Sequence, residues 1–161
     1  MIKRTLDLSA EKYSYFLFGP RQIGKTRLIQ DSIQADFFLN LLKSSEYLLY
    51  SQNPERLRNE LEVLFRPSNI TKKIVIDEIQ RVPELLNEVH LLIEEREDFQ
   101  FILTGSSARK LRAKGVNLLG GRALVFRLFP FTHEELGDLF NLEQNLRFGT
   151  LPKIYLESSF K

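Results

Sequence analysis

The fold of this chain is decided by one stretch, Tyr15-Phe16-Leu17-Phe18-Gly19-Pro20-Arg21-Gln22-Ile23-Gly24-Lys25-Thr26. An apolar run comes first, and Gly19 then begins a pattern of one glycine, four residues and Gly-Lys-Thr, which is the phosphate-binding loop signature. Backbone N–H groups of such a loop turn inward and bind an anion at the positive end of the following helix. The sequence therefore predicts a strand, a phosphate-binding loop over Gly19–Thr26 and a helix, in that order.

Residues of this loop have separate predicted tasks. Gly19 and Gly24 allow backbone torsions and a close approach of phosphate that a side chain would hinder. Lys25 would reach the β- and γ-phosphates, and the Thr26 hydroxyl would coordinate Mg²⁺. Arg21 is expected to face solvent. A tight strand-to-helix connection without a ligand is the alternative for this stretch taken by itself.

A second motif, Lys72-Lys73-Ile74-Val75-Ile76-Asp77-Glu78, indicates a strand buried on both faces that ends in two acids. In a nucleotide-hydrolysing protein, Asp77 would hold the Mg²⁺ shell and Glu78 would polarise the attacking water as general base. A buried strand that ends in a solvated acidic turn is the alternative, and the phosphate-binding loop upstream disfavours it.

Small polar residues follow the next predicted strand, and an arginine follows a glycine pair further on. Thr104 or Ser106 would hold the attacking water or sense the γ-phosphate, and a chain turn with a helix cap is the equally open alternative for both. Ser107 is expected only to cap the next helix. Arg122, after Gly120-Gly121, is a candidate arginine finger, which stabilises charge on the transferred phosphoryl group from the same subunit or from a neighbour. A surface arginine beside a glycine turn is the equally open alternative.

Four basic residues lie close together after the predicted strand that begins near Asp98. They are Arg109, Lys110, Arg112 and Lys114. A solvated helix face is the preferred interpretation, and contact with DNA or phosphate is the alternative.

Length, composition and charge exclude several classes of protein and of functional site. The chain has 161 residues, of which 43% are hydrophobic and 27% charged, and its formal net charge is +2, so one globular domain is expected and nothing global demands nucleic acid. The absence of cysteine excludes disulfides, thiolate metal sites and cysteine nucleophiles. No apolar stretch approaches the ~20 residues of a membrane helix. We expect a soluble, cytoplasmic protein without membrane contact.

Strand-like and helix-like patterns alternate along the chain, which predicts an α/β fold with a parallel sheet covered on both faces. The first 14 residues are predicted to lie on the surface or to pair loosely with the domain edge. Predicted strands begin near Tyr15, Phe37, Lys72, Asp98 and Ala123. Predicted helices run from Lys25 to Ile33, from Leu41 to Tyr50, from an N-cap at Asn53, from Pro83, from Ser106 or Ser107 through Leu111, and from a capping box of Thr132 with Glu135.

The serial order of four motifs resembles the predicted AAA+ ATPases of bacteria and archaea whose P-loop domain precedes a domain of unknown function. The motifs are Phe16–Thr26, Ile76–Pro83, Ile102–Arg109 and Leu118–Arg122. The resemblance implies a three-layer P-loop fold with sheet order 5-1-4-3-2, Lys25 and Thr26 in Walker A, and Asp77 and Glu78 in Walker B. It also implies that Thr104 or Ser106 is sensor 1 and that Arg122 is the arginine after that sensor.

Residues 1–141 are expected to form the ATPase core, and residues 142–161 to form a tail that starts a truncated lid or linker. Members of the family that this chain resembles continue past this segment into a helical or winged-helix portion and a C-terminal domain. The leading hypothesis is Mg²⁺-dependent ATP hydrolysis. The alternative is a nucleotide-binding module with little turnover that acts with DNA, a protein partner or copies of itself. A kinase is disfavoured because Asp77 and Glu78 together suit the activation of water.

Overall fold

The computed structural model describes residues 2–112 and 118–156. Within them, five strands form one sheet in which every pairing is parallel, in the order β2-β3-β4-β1-β5. The strands are β1 (Tyr15–Phe18), β2 (Phe37–Asn40), β3 (Lys72–Asp77), β4 (Phe99–Gly105) and β5 (Leu124–Arg127). The order equals 5-1-4-3-2 counted from the other edge, so the predicted α/β fold class and sheet order are confirmed.

Helices and short 3₁₀ turns connect the strands, and further ones follow the last strand. The helices are α1 (Lys25–Ser32), α2 (Ser44–Gln52), α3 (Arg56–Leu64), α4 (Leu85–Glu95), α5 (Ala108–Arg112), α6 (His133–Leu136), α7 (Leu142–Phe148) and α8 (Pro152–Leu156). The 3₁₀ turns are Ile79–Arg81, Leu119–Gly121 and Gly137–Leu139. In the described part of the chain, no helix has both the length and the apolar character needed to cross a membrane.

Two apolar cores cover the two faces of the sheet. Phe16 and Phe18 of β1 belong to the core that contains the buried apolar side chains of α2, α3 and α4. Tyr15 and Leu17 belong to the other core, which contains Leu28 and Ile29 of α1 together with Leu8. Successive side chains of a strand point to opposite faces, so each apolar strand supplies both cores. This explains why the strands appear in the sequence as continuous apolar runs.

The segment before β1 is more firmly packed than the sequence predicted. Leu8 is 1% exposed and lies in the core on the α1 face. The side-chain amide of Gln100 donates hydrogen bonds to the carbonyl oxygens of Glu11 and Tyr13, at 2.8 and 3.0 Å. The prediction of a loose surface segment was wrong for this part, because one buried leucine and the fixed backbone carbonyls hold it against the sheet.

Three helix starts differ from the predicted ones. The helix predicted from Leu41 begins at Ser44. Asn53 ends α2, where its N–H donates to the carbonyl of Leu49, and α3 begins at Arg56 with Glu55 at its N-cap. α4 begins at Leu85 rather than at Pro83. The predicted capping box of Thr132 and Glu135 at the start of α6 is confirmed.

Candidate nucleotide-binding site

The predicted loop and acids and the polar end of β4 lie at the carboxyl edge of the sheet. Gly19 follows β1, Glu78 follows β3 and Ser106 follows β4, and these three strands are adjacent and parallel. The N–H of Gly19 donates to the carbonyl of Gly105 over 3.2 Å, which joins the start of the loop to the end of β4. Ligands of open parallel sheets bind at this edge, so the arrangement suits a binding site.

The backbone of the loop has the torsions that an anion-binding turn requires. Gln22 and Gly24 have φ angles of 64° and 91°, in the left-handed region. A Cβ on Gly24 would meet no atom within 4 Å, so its torsion alone favours glycine, whereas a Cβ on Gly19 would lie 2.5 Å from the carbonyl oxygen of Leu128. Gly19 is therefore required by the chain that follows β5, a reason that the sequence pattern did not contain.

Lys25 is almost completely removed from solvent, at 5% exposed. Its ammonium donates to the carbonyl oxygens of Gly19 and Pro20, at 2.9 and 3.0 Å, and lies 3.9 Å from Oε1 of Glu78. Burial lowers the pKa of Lys25, and the carboxylates of Glu78 and Asp77 oppose that shift. An anion bound in the loop would compensate the buried charge, because charge-assisted hydrogen bonds to phosphate replace the solvation that burial removes.

A chain of hydrogen bonds connects the loop with the acids. The Thr26 hydroxyl donates to Oδ2 of Asp77 over 2.9 Å, and the Thr104 hydroxyl donates to Oδ1 of the same carboxylate. The Thr104 oxygen also accepts the N–H of Glu78 at 3.0 Å. Asp77 is only 1% exposed, so this network fixes a buried carboxylate between α1, β3 and β4.

Glu78 is held at the mouth of the site by its backbone. Its φ and ψ are 62° and 46°, a left-handed conformation that costs a non-glycine residue free energy of order 1 kcal/mol or more. The hydrogen bond from its N–H to Thr104 stabilises this turn. As a result, the carboxylate reaches towards Lys25 and the side-chain amide of Gln80 donates to its Oε2. Sequence reasoning missed Gln80, whose only signal was its place two residues after Glu78.

The two candidates at the end of β4 have different surroundings. Thr104 is completely buried, and its hydroxyl is engaged by Asp77 and by the N–H of Glu78. The hydroxyl oxygen of Ser106 is also buried, but it has no hydrogen-bond partner within the described residues. Thr104 is thus suited to fixing the two acids, whereas the buried hydroxyl oxygen of Ser106 has no such contact among the described residues.

Within a single chain, Arg122 lies at the opposite edge of the sheet from the candidate nucleotide-binding site. It precedes β5, whose first residue Leu124 pairs with Tyr15 at the start of β1, so it is at the amino edge of the sheet. Its guanidinium contacts the carboxylate of Glu94 at 2.5 Å. Since β1 and β5 are parallel, the length of a strand separates Arg122 from the loop of its own chain.

The remaining basic candidates contribute little to the described geometry. Arg21 is exposed, as predicted. Arg109 is also exposed. Lys114 and the side chains of Lys110 and Arg112 lie outside the described part of the chain, so the predicted basic cluster stays a prediction.

A cavity of about 600 Å³ opens beside the loop. It lies between the segment before β1, α1 and the chain after β5, and its lining includes Leu6, Ile23, Gly24, Leu28, Phe131 and Pro152. Arg4 closes one side, because its guanidinium lies 4.8 Å from the ring centre of Phe131 and 3.2 Å from the Glu135 carboxylate. Burial lowers the pKa of Arg4 and the charge of Glu135 opposes that shift. The volume is typical of sites for small organic ligands, which measure roughly 300–1,000 Å³.

The oxygens of Thr26 and Asp77 fit a magnesium ion. They lie 2.9 Å apart. Adjacent oxygens of an octahedron with metal–oxygen distances of about 2.1 Å lie about 3 Å apart, so the pair could occupy neighbouring positions on the ion or on its water shell. Mg²⁺ normally takes one or two protein ligands and completes its shell with water and phosphate. A pair of this kind is therefore sufficient.

Comparison with known proteins identifies the class of this chain. A family model described as an AAA domain matches residues 11–137, well over half of the chain, and the chain belongs to that family. The match supports P-loop nucleotide binding. No curated protein matches the chain.

A solved structure of PCH-2 from C. elegans is similar to this chain with a TM-score of 0.49 and 15% sequence identity. The alignment covers 74% of this chain and 36% of that chain. The chain therefore spans little more than a third of the length of that neighbour.

Proposed function

We propose that this chain binds ATP with Mg²⁺ at the Gly19–Thr26 loop and hydrolyses it to ADP and phosphate. The observation that carries the proposal is the network in which Thr26 and Thr104 both donate to Asp77 while Thr104 accepts the N–H of Glu78. It connects a phosphate-binding loop to a carboxylate that can accept a proton, and both are needed for hydrolysis.

Each residue has a definite task in this proposal. Lys25 exchanges the carbonyls of Gly19 and Pro20 for phosphate oxygens, and Thr26 with Asp77 holds Mg²⁺, which neutralises phosphate charge when bound. The water oxygen forms a bond to the γ-phosphorus while the bond from that phosphorus to the ADP oxygen breaks. Glu78 takes the proton that the water loses. Lys25 stabilises the charge on the phosphoryl group.

The cavity beside the loop supports a site for the nucleoside. Ile23 and Gly24 line it on the phosphate side, so a nucleotide with its phosphates in the loop could extend directly into it. Its apolar lining suits a base, and Arg4 and Asp7 are polar groups on its wall.

We propose that Arg122 acts on the nucleotide of a neighbouring copy of the chain. Its position at the amino edge disfavours action on its own loop. The test mixes Arg122→Gln protein, which lacks the finger, with Glu78→Gln protein, which lacks the base. Action across subunits predicts that the mixture regains phosphate release that neither variant has alone. A mixture as inactive as its components would contradict a role between subunits.

The experiment for the main proposal titrates the purified chain with ATP, with Mg²⁺ or with excess chelator, and follows binding and phosphate release together. Mg²⁺-dependent release at a steady rate is the expected result. Binding without release would instead support the alternative of a nucleotide-binding module that needs a DNA or protein partner for turnover. Failure to bind ATP, ADP or GTP would overturn both.

A further inference from the structure

Gln80 turns its side chain back onto the proposed general base. It lies in the 3₁₀ turn Ile79–Arg81 that directly follows Glu78. Its Nε2 donates to Oε2 of Glu78, while Oε1 of Glu78 lies 3.9 Å from the ammonium of Lys25. The carboxylate is therefore held from one side by an amide and approached from the other by a cation.

The orientation of the Gln80 amide follows from this contact. An ionised carboxylate only accepts hydrogen bonds, so the amide must direct its nitrogen to Glu78 and its oxygen away. That oxygen, Oε1, is buried and has no hydrogen-bond partner among residues 2–112 and 118–156. A buried amide oxygen of this kind normally has a protein or water partner, because leaving it unpaired costs about 1–3 kcal/mol.

Gly105 makes room for this oxygen at the end of β4. A Cβ on Gly105 would lie 2.7 Å from Oε1 of Gln80, closer than side-chain atoms approach one another. Ser106, the next residue, has a buried hydroxyl that also lacks a partner within the described chain. Two unpaired polar atoms therefore accompany the last residues of β4, at the edge where the phosphate-binding loop begins.

We propose that Gln80 orients the attacking water together with Glu78. One O–H of the water points to the Glu78 carboxylate, which takes that proton, and the other O–H donates to Oε1 of Gln80. This oxygen is covered in the ligand-free chain, so the proposal includes a movement of the Gln80 side chain away from Gly105 that exposes it to the water. Two acceptors fix the direction of the oxygen lone pair, which a single carboxylate cannot do. This inference rests on the proposed hydrolysis of ATP, and it assigns Gln80 to the chemical step and not to nucleotide binding.

The first test replaces Gln80 by leucine, which keeps the bulk of the side chain and removes both polar atoms. We expect kcat to fall roughly 100-fold, as for other misplaced reacting groups, with the ATP dissociation constant changed less than about 2-fold. Gln80→Glu keeps an acceptor but brings a like charge to Glu78, so it should also lose activity. Gln30→Leu on the exposed side of α1 is the matched control and should keep full activity.

A double-mutant cycle with Glu78→Gln separates orientation of the water from general damage to the fold. If Gln80 works through the water that Glu78 activates, Gln80→Leu causes no further loss in the Glu78→Gln background. An equal fractional loss in both backgrounds would overturn the inference, as would an unchanged kcat in Gln80→Leu. A wild-type chain that binds ATP and never releases phosphate would overturn the proposed hydrolysis itself, and the inference with it.

Discussion

Two glutamines at opposite edges of the sheet differ in how their buried polar atoms are paired. At the amino edge, the Gln100 amide donates to two backbone carbonyls and the Ser14 hydroxyl accepts the N–H of Phe101 at 2.9 Å. At the carboxyl edge, Oε1 of Gln80 and Oγ of Ser106 are buried without a partner among the described residues. The protein pairs the Gln100 amide, whereas Oε1 of Gln80 is left for something else to satisfy.

The carboxyl edge therefore contains two kinds of buried polar group. Asp77 and Thr104 are paired with each other, whereas Oε1 of Gln80 and Oγ of Ser106 have no described partner. A buried group that is paired within the protein stabilises the fold, whereas an unpaired group costs stability and is retained where a ligand satisfies it.

Unpaired buried atoms are not confined to the carboxyl edge. Oη of Tyr15 lies in the core on the α1 face without a described partner, and Nε and Nη1 of Arg4 and Nδ2 of Asn145 also lack a hydrogen bond among the described residues. Burial, assisted by the charge of Glu11, raises the pKa of Tyr15.

The largest effect is expected at the carboxyl edge of the sheet, in the phosphate-binding loop. Lys25→Met should weaken ATP binding about 10- to 100-fold, because charge-assisted hydrogen bonds contribute about 1.5–3 kcal/mol, and should abolish phosphate release. The unfolding free energy of the ligand-free chain should stay within about 1 kcal/mol, since the variant also removes a buried charge. Calorimetric titration and thermal unfolding measure the two quantities.

Arg21→Met is the matched control for Lys25→Met, because Arg21 lies in the same loop but is exposed. It should bind ATP nearly as well as the wild type. Equal losses in the two variants would mean that overall charge, and not the buried ammonium, determines affinity.

At the amino edge of the sheet, a substitution of Gln100 should lower stability and leave activity unchanged. Gln100 is 3% exposed. Gln100→Met removes both donors to the segment before β1 and should lower the unfolding free energy by about 1–3 kcal/mol. Urea unfolding measures the loss, and kcat per folded chain should not change. A large fall in kcat with unchanged stability would erase the distinction between the edges.

A smaller, pH-dependent effect is expected at the ion pair of Arg96 and Asp98. The hydrogen bond from Arg96 lowers the pKa of Asp98 below its ordinary 3.8. A carboxylate whose pKa is lower in the folded chain stabilises the fold above its unfolded pKa, and loses that contribution as pH falls through its folded pKa. Wild type should therefore lose more stability than Asp98→Asn below about pH 4, as urea unfolding at several pH values would measure. Parallel curves would contradict this.

The smallest effect on stability is expected for Arg122→Gln. The pair of Arg122 and Glu94 is half exposed, at 43% and 44%. Exposed ion pairs contribute about 0–1 kcal/mol, so the unfolding free energy should hardly change. A loss above about 2 kcal/mol would assign Arg122 to the structure of the amino edge and weaken its proposed role between subunits.

Much of the fold could be predicted because local patterns determine it. The apolar runs specified five strands, and the loop signature with the acids placed a site at their carboxyl ends. The predicted N-cap at Asn53 was wrong because capping preferences do not reveal whether a residue ends one helix or begins the next. α4 begins two residues after the predicted Pro83. The packing of Leu8, the steric need for Gly19 and the contact of Gln80 with Glu78 all depend on how distant segments or tight turns meet, which no local pattern contains.

The most direct measurement compares phosphate release and ATP binding in wild type, Glu78→Gln and Glu84→Gln. Glu84 is an exposed acid six residues further along the same strand-to-helix connection, and serves as the matched control. The account predicts that all three bind ATP with Mg²⁺ and that only Glu78→Gln loses release, by about 10²- to 10⁴-fold. Glu78→Gln protein that hydrolyses ATP as fast as wild type would contradict the assignment of the base at the centre of this site.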